Sequence, residues 1–141
     1  MFDTHTEINL GDAQLDRDHS ELMRLSQALL DVPNDRNVLA LEALYTAARE
    51  HFSLEDADLR RLGGNNSVCH LDEHALVLKS LEEVLEILRD PATTSEKANQ
   101  MLSSLAMELL RWLPEHIREM DSGLASVRSQ ARFGGSPIVF A

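Results

Sequence analysis

Five of the six histidines in this 141-residue chain sit where a helical protein would place leucine. His51-x-x-x-Glu55 and His70-x-x-x-His74 are i, i+4 pairs. That spacing puts two side chains one above the other on a single helix face, able to grip one metal ion or two adjacent ones. His19 shares a face with Leu15, Leu22 and Leu29, and His116 ends the row Leu102, Leu105, Leu109, Trp112. A single inward imidazole is ordinarily a satisfied core residue. One from every segment, with a carboxylate among them, is a different pattern. Burying Glu55 as an unpaired charge would be costly, and no lysine or arginine lies on these rows to neutralise it. A metal ion does so, and neutral imidazoles on facing helices are what a metal recruits in a bundle core. Cys69 adjoins His70, but adjacent helix positions do not face each other, which argues against a Cys/His nucleophile. Cys69 reads as a small buried or flanking side chain.

Four helical segments must position these residues. Gly11-Asp12 caps the first, over residues 13–30, and Val32-Pro33 stops it. The second runs over residues 37–62, with Asn34 or Asp35 as cap and Gly63-Gly64 as the stop. The third starts after Ser67 and ends at Asp90-Pro91. The fourth follows Thr93-Thr94-Ser95-Glu96, which reads as a capping box, and continues to about Ser122. No window alternates apolar and polar residues as a strand would. Short connections between long helices predict an all-α, up-down-up-down antiparallel four-helix bundle over residues 1–122. Residues 123–141 lose the helical pattern and read as a C-terminal tail, either a docked strap or disordered.

Depth along the bundle checks the metal reading. His19 lies 14 residues before Pro33 and His51 lies 18 after it, a difference of about 6 Å at 1.5 Å per residue. Glu55 is ten residues before Asn65 and His74 nine after, so these two are level, with His70 one turn nearer the loop. All fall in one half of the bundle. Asp121 does not follow from this geometry: five residues after His116 is a rotation of about 140°, the place of a surface carboxylate. Pro114, inside the same helix, is expected to loosen or kink it.

Composition narrows the remaining classes. A formal net charge of -11 and one cysteine disfavour nucleic acid, anionic membrane surfaces and a disulfide scaffold, and suit the cytoplasm. Met1-Phe2-Asp3-Thr4-His5 has no basic segment leading an apolar one, and no run approaches a membrane span. His5 has no partner by spacing.

The stretches Leu15-Asp16-Arg17-Asp18-His19, His51-Phe52-Ser53-Leu54-Glu55-Asp56, His70-Leu71-Asp72-Glu73-His74 and Trp112-Leu113-Pro114-Glu115-His116-Ile117-Arg118-Glu119-Met120-Asp121 together resemble the hemerythrin family in its bacterial single-domain form. The resemblance implies two iron ions bridged by oxide or hydroxide. His70, His74 and His116 would hold one, His19 and His51 the other, and Glu55 and Asp121 would bridge them. It implies an apolar oxygen pocket of Phe52, Trp112, Leu113 and Ile117, and makes Asp16, one turn before His19, a partner that orients that imidazole. The Pro114 distortion would let His116 and Asp121 both face the cluster. The amino-terminal arm offers Phe2 where the family commonly carries tryptophan, and Gly64-Asn65 stands where an aromatic residue and proline are frequent.

The expected activity is reversible dioxygen binding for storage, delivery or buffering, without catalysis. An oxygen or redox sensor and a di-iron enzyme handling peroxide or nitric oxide are the alternatives. Many imidazoles and few carboxylates favour reversible binding over attack on substrates. The Glu-x-x-His pairs of carboxylate di-iron enzymes do not occur in the chain.

Overall fold

The computed structural model describes residues 9–63 and 67–133. His5, Phe2, Gly64-Asn65 and the segment from Gly134 onward lie outside them. Helices α1 (Ala13–Ala28), α2 (Asn37–Leu62), α3 (Ser67–Arg89) and α4 (Ser95–His116) form a four-helix bundle, and no strand occurs among the described residues. Each helix packs on its neighbours in the cyclic order α1, α2, α3, α4, as short connections require. No helix among the described residues is long and apolar enough to cross a membrane.

Local chemistry sets the ends. The Asp12 side chain accepts from the Leu15 N–H at 3.1 Å, satisfying one of the donors that a helix start leaves free. Gly63, at φ 74, closes α2, a left-handed backbone that suits glycine. Two caps differ from expectation. Neither Asn34 nor Asp35 caps α2 through its side chain: one turn of 3-10 helix (Asn34–Arg36) feeds into it, and the Asn34 carbonyl takes the Asn37 N–H. At α4 the cap is Thr94, accepting from Lys97 at 3.1 Å, while Thr93 turns back to the Ile87 carbonyl at 2.6 Å. The capping box is therefore shifted by one residue and lacks its glutamate half.

The core away from the histidines is mostly hydrocarbon: Leu22, Leu29, Leu41, Leu44, Leu81, Leu85 and Leu102 are buried together. Val77, Val84 and Leu88 on α3 are only partly buried. Along this side α3 and α4 leave a surface groove of about 720 Å³, whose walls include Leu76, Val77, Val84, Leu105 and Trp112.

The helical path does not stop near Ser122. A π-helical turn, Ile117–Asp121, leads directly into α5 (Ser122–Phe133), which packs on α2. Apolar periodicity misses α5 because polar groups do much of its docking. Leu124 is buried, but beside it Arg128 donates to Asp58 at 2.7 Å, Asp12 at 3.2 Å and Gln14 at 2.8 Å.

Candidate metal centre

Each helix delivers its share inward. α1 gives His19, α2 gives His51 and Glu55, α3 gives His70 and His74, and α4 gives His116. Asp121 arrives by the π-turn. The Ser122 N–H bonds to the Ile117 carbonyl, five residues back, so the wider turn brings position 121 round to the face that His116 occupies. The chain is still α-helical through Pro114 and His116. The distortion that aims Asp121 thus lies after His116 and not at Pro114, because the register slips where i→i+5 bonds form, not where the proline removes one donor.

All seven residues are buried, none more than 4% exposed. They form two overlapping groups: Glu55, His70, His74, His116 and Asp121 in one, and His19, His51, Glu55 and Asp121 in the other. Glu55 and Asp121 belong to both. Asp121 directs Oδ2 to His19 Nε2 at 2.7 Å, and Oδ1 to His70 Nε2 at 2.7 Å and His116 Nε2 at 3.1 Å. Glu55 Oε1 stands 3.2 Å from the Nε2 atoms of both His51 and His74. Each acid therefore spans the two groups.

Most of the atoms that meet at the centre have no hydrogen-bond partner. His19 Nε2, His51 Nε2, His70 Nε2, both Glu55 oxygens and Asp121 Oδ1 are buried without a hydrogen-bond partner despite their short separations. Buried polar groups are rarely left so. His74 Nε2 and His116 Nε2 face each other at 3.1 Å, while their Nδ1 atoms lie 2.7 Å from Asp56 and 2.9 Å from Glu73. In a neutral ring whose Nδ1 donates to a carboxylate, Nε2 carries a lone pair, and two such lone pairs aimed at one another are set to hold a cation between them. The donor set, imidazole nitrogens with two carboxylates, fits iron.

Three carboxylates that sequence reasoning missed hold the imidazoles from behind. Asp18 lies 3.0 Å from His51 Nδ1, Asp56 serves His74, and Glu73 serves His116. Asp16 is not among them: its Oδ1 accepts the Leu10 N–H at 2.8 Å. His19 Nδ1 has no hydrogen-bond partner among the described residues. The available signal was that each of the three acids is one residue from an inward group, but only the bundle's packing assigns it to a neighbouring helix.

Of the expected apolar residues, Phe52 and Trp112 pack against site histidines. Phe52, Leu113 and Ile117 are buried. Phe52 stacks on His74 with centroids 4.0 Å apart, and Trp112 on His116 at 4.3 Å. Cys69, expected to be buried or flanking, is exposed, since it lies off the inward face that His70 takes.

Proton affinities follow from these contacts. Burial pushes the His51 imidazole down, but Glu55 and Asp18 outweigh it and hold it at about 9. His116 is raised in the same sense: burial opposes the charge, and Asp121 and Glu73 overcome it. Burial pushes Glu55 up, yet His51 and His74 hold it at about 2. Asp121 is likewise raised by burial but held well below the ordinary carboxylate range by His116, His19 and His70. Both shared acids are anionic at neutral pH, and a metal must displace protons from the imidazoles to bind.

The model of the hemerythrin HHE cation binding domain matches residues 10–127. A bacteriohemerythrin of Ralstonia nicotianae is 31% identical over 114 residues, which cover 81% of this chain and 79% of that protein. No solved structure matches. The matched span contains every inward histidine, both shared carboxylates and the π-turn between the last two of these groups, and on that extent the chain belongs to the hemerythrin family.

Proposed function

We propose that the chain binds dioxygen reversibly at a pair of iron ions and does not turn over a substrate. His70, His74 and His116 would hold one ion, His19 and His51 the other, with Glu55, Asp121 and an oxide or hydroxide shared between them. The observation that carries this reading is the inequality of the two groups: both contain Glu55 and Asp121, but one adds three histidines and the other two. For two six-coordinate ions, the shorter set leaves one position for an external ligand. When bound, the iron pair supplies the electrons for reversible dioxygen capture.

The chain's own residues do the rest. Phe52, Leu113 and Ile117, all buried, exclude water, while Phe52 and Trp112 press on His74 and His116 and limit their rotation. Acidic composition argues against nucleic acid and membrane partners, and the single cysteine suits the cytoplasm. Metal analysis with an absorption spectrum tests the reading. About two irons per chain, and a visible band that appears with air and bleaches on deoxygenation, are expected. Irreversible oxidation, or repeated turnover with peroxide, overturns it.

One observation favours a sensor as the second reading. Asp121 is followed directly by α5, so a change at the centre has a covalent path to that helix. A change in α5 protection from hydrogen exchange on adding dioxygen would support it.

A further inference from the structure

Asp18, Asp56 and Glu73 follow one rule. Asp18 is next to His19 on α1 and bonds to His51 on α2; Asp56 is next to Glu55 on α2 and bonds to His74 on α3; Glu73 is next to His74 on α3 and bonds to His116 on α4. Neighbouring positions on a helix point about 100° apart, so a residue beside an inward group faces the adjoining helix. The chain uses that offset three times in the same rotational sense. At the fourth step, from α4 to α1, the position with the matching offset is Ile117, which carries no acid, and His19 Nδ1 has no hydrogen-bond partner among the described residues.

We infer that these carboxylates are positioning residues whose uneven distribution makes the two halves of the centre fill in order. Accepting from Nδ1–H fixes the tautomer that leaves Nε2 free to bind, fixes the ring's orientation and makes the nitrogen a stronger donor. In the half with three histidines, two rings are held in this way. In the half with two, only His51 is. The His70, His74 and His116 half binds its ion first and more tightly; the His19 and His51 half fills second and empties first. This inference rests on the ligand reading proposed above, and goes beyond it by giving the two sites an order and three further residues a role.

Anaerobic titration of the metal-free full chain with ferrous ion, in competition with a chelator, tests it. The native chain should show two affinities at least about tenfold apart, since loss of such an outer partner typically costs 10–100-fold. Asp56→Asn and Glu73→Gln should weaken the tighter affinity by that factor and leave the weaker nearly unchanged, while Asp18→Asn does the reverse. A general defect in folding would not sort the variants between sites. As a second readout, the exchangeable Nδ1–H resonances of the ferrous protein should shift for the one imidazole whose acid is replaced. Equal affinities in the native chain, or three variants that weaken both sites alike, would overturn the inference. If the native chain instead takes up fewer than two ions at saturation, it is the ligand reading that fails.

Discussion

The same four helices build two different cores. At the end of the bundle where Leu29, Leu41, Leu85 and Leu102 meet, the inward groups are hydrocarbon apart from Ser26, whose hydroxyl donates to the Leu22 carbonyl; beyond Leu22, Ala48 and Leu81 imidazoles and carboxylates join the apolar side chains. The leucine end gains from burial alone, roughly 1.5–3 kcal/mol for each large side chain. The polar groups of the histidine end gain nothing comparable from burial: they are desolvated, and most of those that meet at the centre lack a hydrogen-bond partner. The difference teaches that one end of the bundle holds the helices in register so that the other can keep a set of acceptors poised for a cation. Folding and metal binding should therefore separate under mutation.

The largest separation is expected from replacing a shared acid. Glu55→Ala should lower metal affinity more than about 100-fold, beyond the loss of an outer hydrogen bond, and reduce stoichiometry, while the metal-free chain stays helical by circular dichroism. The counterpart at the other end is Leu41→Ala, fully buried in the leucine core. It should cost about 2–5 kcal/mol in denaturant unfolding and leave the metal content of folded protein unchanged. Metal loss in the leucine variant, or unfolding of the metal-free glutamate variant, breaks the comparison.

Protons sharpen it next. The His51 pKa is raised to about 9, so in the metal-free chain its contribution to stability is complete below its ordinary value of about 6.5 and is lost as pH rises through 9. Glu55 is lowered to about 2. Its contribution is complete above about 4.5 and is lost as pH falls through 2. Thermal melts of the metal-free chain should therefore decline on both sides of a plateau between about 4.5 and 6.5. Metal-loaded protein should lose the alkaline decline, because bound imidazoles are already neutral. Leu41→Ala should lower the whole curve without moving its shoulders.

Much of both cores was legible in the sequence because each lies on one regular helical row: six of the seven inward polar groups follow from steps of three and four residues. Asp121 does not, since a π-turn breaks the period between Ile117 and Ser122, and it entered through family resemblance. Asp18, Asp56 and Glu73 look like surface acids on their own helices, and their work is set by packing between helices. Asp16, with the spacing that suggested such a role, instead bonds to Leu10. The helix after Ser122 escaped because Arg128 and its acidic partners, not a row of leucines, dock it.

Pro114 tests where the register is set. If the i→i+5 bonds alone aim Asp121, Pro114→Ala should leave two ions bound and stabilise α4, by up to about 3 kcal/mol, the cost of an interior proline. Loss of one ion from that variant would return the control of Asp121 to the proline.

The smallest effect asks to which of the two cores α5 belongs. Gly123 is helical, two residues past Asp121, and a methyl group built there meets nothing within 4 Å. Replacing it with alanine removes the backbone entropy penalty of glycine in a helix, worth about 1 kcal/mol. Where that gain appears is the informative part. Arg128 ties α5 to Asp12 before α1 and to Asp58 on α2, so α5 should unfold with the bundle and Gly123→Ala should raise its global stability in denaturant by nearly the full amount. A gain confined to hydrogen-exchange protection within α5 would instead make that helix a separate unit, attached to the histidine end through Asp121 alone.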